Sequence, residues 1–354
     1  MKVGQQHYRS IWRDGDVFII DQTRLPHHFA VQALESLEDV YTAIRDMQVR
    51  GAPLIGATAA YGFALGLAED NSPKGRRHAM QRLRSARPTA VNLAWALQRI
   101  DRLLDTQPPG DWYATALTEA ERICDEDVAV NESIGMHGFE ILRDVANAKP
   151  GKTLNILTHC NAGWLATVDW GTALAPIYRA FDQGIDLHVW VDETRPRNQG
   201  AALTAWELHN HGVRCTLITD NAGGHLMQTG QVDLCIVGTD RTVANGDVCN
   251  KIGTYLKALA AKANQVPFYV ALPISTFDPN IRTGSEVPIE QRPGEEVIRV
   301  AGSDEQGEAG SVQICPTGVN AANPAFDITP AKFINGYITE RGVLSRADLA
   351  DIGN

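Results

Sequence analysis

Leu154-Asn155-Ile156-Leu157-Thr158-His159-Cys160-Asn161-Ala162-Gly163 begins as a short apolar strand and stops in a polar turn carrying a thiol. Leu234-Cys235-Ile236-Val237-Gly238-Thr239-Asp240-Arg241 repeats the pattern and ends at a carboxylate. Ligands of open α/β sheets bind in the crevice outside the carboxyl ends of the strands. A thiol at one strand end and an acid at another therefore mark a candidate site. Further apolar runs begin near Leu187, Cys215 and Phe268, separated mostly by segments of helical length and pattern. That alternation predicts βαβ units and a mostly parallel, doubly wound sheet. Neither G-x-G-x-x-G after a strand nor a Walker-type Gly-Lys-Ser/Thr occurs, so a dinucleotide or P-loop reading has no motif behind it.

Ahead of this region the signals are helical. Asp14-Gly15 between Tyr8-to-Trp12 and Val17-to-Ile20 predicts a hairpin. Ser36 and Asp39 can cap a helix with Leu37, Val40, Tyr41, Ile44 and Met47 on its apolar face, running out at Arg50-Gly51. Pro53 suits the start of the next helix. Further helices are expected over 73–86, 92–104 and 112–146, and Pro150-Gly151 marks the change of pattern. The expected organisation is a small, mainly helical unit with a short β-unit over 1–148, then a sheet domain over 149–354. The segment 276–311, rich in Pro, Gly and acids, reads as a long surface excursion, part lid and part insert.

The chain has 354 residues, 44% hydrophobic and 21% charged, which is globular composition. A net charge of −10 argues against a nucleic-acid surface, which needs a basic face. It leaves room for a small anionic substrate, whose pocket needs only two or three donors. Six cysteines form no C-x-x-C pair and no zinc-ligand spacing, so reduced thiols in a cytoplasmic protein are expected. The N-terminus has no apolar core of a secretory signal. The uncharged run 52–68 is short for a bilayer and diluted by glycine and alanine, so a buried helix is expected there rather than a membrane span.

Three stretches could hold an anion. Arg50-Gly51-Ala52-Pro53 joins a guanidinium to the free N–H groups of a helix start. Asn250-Lys251 precedes another helix, and Arg87-Pro88-Thr89 opens a third. With Gln199 also at a strand end, they suit a phosphorylated substrate. On the residues alone, Cys160 reads equally as a buried structural thiol or a reactive one. Asp240 reads equally as a partner of Arg241 or an acid. Cys215 and Cys235 sit inside apolar strands as core. Asp192, Glu193 and Arg195 are expected to form a structural ion-pair cluster.

Five spaced motifs now come together in order along nearly the whole chain: Arg50-Gly51-Ala52-Pro53, Arg87-Pro88-Thr89, Thr158-His159-Cys160-Asn161-Ala162-Gly163, Asp192-Glu193-Thr194-Arg195-Pro196 through Gln199-Gly200, and Gly238-Thr239-Asp240-Arg241 through Asn250-Lys251. Asn323-Pro324-Ala325-Phe326-Asp327 fits as well. The set resembles the methylthioribose-1-phosphate isomerases. Their fold is shared by the regulatory subunits of the eukaryotic translation initiation exchange factor and by ribose-1,5-bisphosphate isomerases. The resemblance implies a helical N-terminal domain, a Rossmann-like C-terminal domain, a homodimer, and an aldose–ketose isomerisation in methionine salvage with no metal or other cofactor. It places the catalytic thiol and acid on Cys160 and Asp240, and substrate binding on Arg50, Gly51, Ala52, Arg87, Gln199, Asn250 and Lys251. Cys315-Pro316-Thr317-Gly318-Val319 and the acidic run 304–308 depart from the commoner pattern. That leaves the 5-substituent open between methylthio and deoxy. A related pentose phosphate such as ribose 1,5-bisphosphate, or a non-catalytic sugar-phosphate or nucleotide sensor, are the alternatives.

Overall fold

The computed structural model describes residues 1–88, 90–304 and 306–352. Thr89, part of one candidate anion site, lies outside them.

The hairpin forms as strands Ile11–Asp14 and Asp16–Ile20 around Gly15, and Val31–Leu34 adds a third antiparallel strand. Helix α1 (Leu37–Arg45) starts in a capping box. The Ser36 hydroxyl accepts from the Asp39 N–H at 3.1 Å and the Asp39 carboxylate accepts from the Ser36 N–H at 3.0 Å. The helix ends at Arg45, five residues earlier than expected. Met47, counted on its apolar face, takes a left-handed backbone (φ 62°) that turns the chain toward Gly51 instead. Helix α2 (Ala52–Glu69) is apolar all round and buries 13 of its 18 residues, which makes it the centre of a helical bundle. Its Gly62 and Gly66 leave room for Val40 and Ala79 of its neighbours, α1 and α3 (Pro73–Ala86). Helix α4 (Val91–Leu104) and the first half of α5 (Trp112–Asn147) complete this core. The second half of α5 carries Ile134 and Leu142 into the core beneath the sheet.

The sheet has seven strands, ordered Gly342–Leu344, Gly336–Thr339, Phe268–Ala271, Leu234–Val237, Leu154–Thr158, Leu187–Asp192, Cys215–Ile218. Only the Gly342–Leu344 edge is antiparallel. Counting the parallel strands along the chain gives the order 3-2-1-4-5-6 of a doubly wound Rossmann-type sheet. The strand order reverses between Leu154–Thr158 and Leu234–Val237, which pair at Ile156 and Leu234. Cys160 and Asp240 follow these two strands directly, so they flank the switch point where such sheets bind ligands.

A second, four-stranded sheet grows out of the crevice: Phe277–Asp278, Arg241–Val243, Val248–Lys251, Phe326–Thr329. Asn250 and Lys251 end a strand and stand two residues ahead of the helix Thr254–Ala263, which they were expected to precede. After the Cys160 turn the chain makes a single 3₁₀ turn, Trp164–Ala166, and the next α-helix begins at Ala175. Part of the 276–311 excursion forms an exposed hairpin, Arg299–Ser303 with Ala309–Gln313. Among the described residues no helix is long and apolar enough to cross a membrane.

Candidate active site

The nine residues that the family resemblance marks all line one cleft: Arg50, Gly51, Ala52, Arg87, Cys160, Gln199, Asp240, Asn250 and Lys251. The cleft is open to solvent at one side and measures about 690 Å³ with that open mouth included. Its walls come from the start of α2 and the end of α3 on one side, and from the strand ends of both sheets on the other.

Gly51 is the cap of α2 and sits at φ 95°, a region L side chains rarely occupy. A Cβ there would meet the Ala166 carbonyl oxygen at 2.3 Å, so only glycine lets the helix start approach the turn after Cys160 so closely. Gly51 and Ala52 line the cleft at the positive end of the helix dipole, where first-turn N–H groups lack partners within the helix. Arg50 reaches across to the same turn. Its Nη1 donates to Asn161 Oδ1 and its Nη2 to the Asn161 carbonyl at 2.7 Å. Asn161 is held from beneath, its Nδ2 donating to the buried Glu207 at 2.8 Å. Glu207 also accepts from the N–H groups of Trp164 and Leu165 and from the Tyr178 hydroxyl, although burial pushes its pKa up. Glu207 and Asn161 were not singled out from the sequence as anchors of Arg50. The usable signal was a lone carboxylate on the otherwise uncharged run before Leu208.

Arg87 Nη2 lies 3.5 Å from Glu290 Oε2. Lys251 Nζ donates to the Ala325 carbonyl at 3.1 Å and lies 4.3 Å from the Phe326 ring centre. Burial lowers the Lys251 pKa, and Cys160 and Asp240 raise it. Three cations therefore converge on one cleft of an acidic protein. Gln199 is buried and its Oε1 has no partner, which leaves an acceptor for a ligand hydroxyl. Asn250 donates to the Thr254 hydroxyl at 3.0 Å.

Cys160 takes a left-handed backbone (φ 65°), costly for a side chain with a Cβ and held here from both sides. Its N–H donates to Thr194 Oγ1 at 2.8 Å, and its carbonyl accepts from Thr204 Oγ1 at 2.7 Å. Burial pushes its thiol pKa up, against the pull of Arg50 and Lys251. The Asp240 N–H donates to the Cys249 carbonyl at 3.1 Å, which ties the acid to the second sheet. The remaining cysteines are free; Cys235 is buried in its strand and Cys215 half-buried in the edge strand.

The expected Asp192–Glu193–Arg195 ion-pair cluster does not form. Asp192 pairs instead with His159 (2.8 Å) and Lys257 (3.1 Å), while Arg195 donates to the Pro196 and Val297 carbonyls. His159, Asp192 and Asp220 also bring ligand atoms within 4.8 Å of one another. The Lys257 ammonium already supplies the positive charge there, bonding Asp192 and the Asp220 carbonyl.

A family model described as the Initiation factor 2 subunit family matches residues 48–346. The chain belongs to this family. A methylthioribose-1-phosphate isomerase of Cereibacter sphaeroides is 59% identical over 97% of this chain and 94% of its own length. One of Rhodospirillum rubrum is 61% identical over 97% and 91%. Among solved structures, the 5-methylthioribose 1-phosphate isomerase of Pyrococcus horikoshii superposes with a TM-score of 0.84 at 40% identity, covering 98% of this chain and 95% of that one. A protein of A. fulgidus described as translation initiation factor eIF-2B subunit delta gives 0.81 at 41% identity, covering 98% and 99%. The similar proteins thus carry both an isomerase and a translation-initiation-factor description, and the cleft chemistry bears on which applies here.

Proposed function

We propose that the protein is an aldose–ketose isomerase converting 5-methylthioribose 1-phosphate to 5-methylthioribulose 1-phosphate in methionine salvage. The observation that carries this is the convergence of nine residues, from six separate segments, on one cleft at the switch point. Relatives described as methylthioribose-1-phosphate isomerases, 58–61% identical along nearly the whole chain, support it. In this reading the α2 start at Gly51 and Ala52, with Arg50, Arg87, Asn250 and Lys251, holds the phosphate. Gln199 Oε1 accepts from a sugar hydroxyl.

The substrate carries its phosphate on the anomeric oxygen and so has no free aldehyde. Asp240 protonates the ring oxygen as the bond from that oxygen to carbon 1 breaks. Hydrogen then moves from carbon 2 to carbon 1, and the hydroxyl on carbon 2 becomes the ketone as its proton leaves. A pKa raised by burial weighs against a standing Cys160 thiolate that could abstract a carbon-bound proton. It favours a hydride shift in a water-poor cleft, with the hydroxyl proton returning to Asp240 through Cys160 as relay.

Both catalytic groups and the full binding set are present, which favours an enzyme over a non-catalytic sensor. The separate helical core and the bridging α5 support a division into 1–148 and 149–354. Homodimeric assembly and a cytoplasmic location, implied by the family resemblance, belong to the same proposal. Rates with 5-methylthio, 5-deoxy and 5-phosphate forms of ribose 1-phosphate, compared side by side, test the reading. The uncharged 5-substituents should turn over fastest. A faster rate with the bisphosphate transfers the protein to the pentose bisphosphate class, and no turnover of any of the three supports the sensor.

A further inference from the structure

One fully buried imidazole joins the two halves of the cleft. His159 precedes Cys160 in the chain, and its Nε2 lies 2.8 Å from the carbonyl of Ile252, the residue after Lys251. A carbonyl only accepts, so Nε2 carries a proton and donates it. The other nitrogen, Nδ1, meets Asp192 Oδ2 at 2.8 Å, and both side chains are fully buried. Asp192 is itself pinned by Lys257 at 3.1 Å. Asp220 braces the same layer, accepting from the N–H groups of Thr194 (2.7 Å) and Arg195 (2.8 Å). Thr194 in turn holds the Cys160 N–H.

The contact leaves a mark in the sequence as well. Gly253 takes φ 105°, and a Cβ there would lie 2.9 Å from His159 Cε1 and 3.0 Å from Nε2. The turn after Lys251 is therefore shaped around the imidazole. Its far side is tied down by Asp327, which accepts from the Gly253 N–H at 2.7 Å and the Tyr255 N–H at 3.1 Å.

We propose that His159 is a positioning residue that fixes the Lys251 strand end relative to the Cys160 turn through its Nε2–H bond to Ile252. This rests on the roles given above to Cys160 and Lys251. Loss of that bond leaves the Ile252 carbonyl unpaired in a half-buried turn and frees Lys251 to shift. Phosphate binding then suffers first, and proton transfer at Cys160 second.

Two substitutions separate this from simple core packing. A glutamine amide reaches the position of Nε2, and an asparagine amide reaches only that of Nδ1. His159→Gln therefore keeps the bond to Ile252, and His159→Asn gives it up while keeping the one to Asp192. The expected result is a KM close to wild type for His159→Gln and one raised roughly 10- to 100-fold for His159→Asn. His159→Asn should melt only a few degrees below His159→Gln, a difference too small to account for the split in KM. Equal losses in both, or losses that follow the drop in melting temperature, overturn the proposal. The alkylation rate of Cys160 by iodoacetamide reads the same strut without turnover. It should change several-fold with His159→Asn and stay near wild type with His159→Gln, and the reverse order overturns the proposal. If the wild-type protein isomerises nothing while the alkylation rates keep the expected order, the functional reading fails and the strut stands.

Discussion

Gly51→Ala probes the closest approach in the cleft. The added Cβ would sit 2.3 Å from the Ala166 carbonyl oxygen and 2.5 Å from its Cα, against an ordinary contact of at least 3.4 Å. The helix start and the turn after Cys160 must therefore part by about 1 Å. An alanine at φ 95° adds roughly 1–2 kcal/mol of backbone strain. Forcing the packed segments apart adds about 1–3 kcal/mol. The sum, about 2–5 kcal/mol, corresponds to a fall in melting temperature of several degrees or more for a chain of this size. Activity should fall further than stability alone dictates, because a ~1 Å misplacement of a binding group can cost about 100-fold in rate. Differential scanning fluorimetry and kcat/KM measure the two effects. Gly110→Ala serves as the control, since nothing lies within 4 Å of a Cβ there. If Gly51→Ala matched that control in both measurements, the close-approach argument would be wrong.

Three further outcomes follow from the geometry. Arg50→Ala and Lys251→Ala should raise KM by roughly 10- to 100-fold with a smaller effect on kcat, as expected for lost charge-assisted contacts to phosphate. Arg50→Ala should also loosen the Cys160 turn, because it releases Asn161. Burial pushes the Asp127 carboxyl up to about 7, so the folded state holds its proton more tightly than the unfolded chain does. The stability that Asp127 contributes should therefore be lost as pH rises from about 4 to 7, with no further change from this group above that. Asp127→Asn, which keeps an acceptor for the Val168 N–H, should flatten that slope in urea midpoints measured across the range. Substrate deuterated at carbon 2 should give ketose with the label retained at carbon 1. Wash-out to solvent would restore a thiolate base.

Much of the site was legible because strand-end chemistry is local. The runs at Leu154 and Leu234 announce strands, and the residues that stop them are those that face the crevice. The Ser36–Asp39 box and the Pro73 start are equally local, and both helices begin where these signals put them. What was missed depends on partners distant in sequence. The end of α1 is set by the turn that delivers Gly51 to Ala166, not by the apolar face that Met47 extends. The four-stranded sheet is built from strands of two to four residues, too short to show alternation, and its pairing spans Arg241 to Thr329. Asp192 stands beside Glu193 and Arg195 in the sequence, yet its partners His159 and Lys257 lie 33 and 65 positions away, brought to it by the sheet order. Glu207 supports Arg50 only through Asn161, a relay that no spacing rule announces.

The central claim is that Cys160 and Asp240 turn over a phosphorylated thiosugar held in this cleft. NMR of purified protein mixed with 5-methylthioribose 1-phosphate tests it directly, with Cys160→Ser and Asp240→Asn run alongside and their melting curves recorded. The wild-type protein should produce the ketose, and both variants should stay folded yet leave the aldose essentially unchanged. Absence of ketose with the wild type, or turnover by either variant within about 10-fold of it, a difference of only ~1.4 kcal/mol in barrier, would contradict the account.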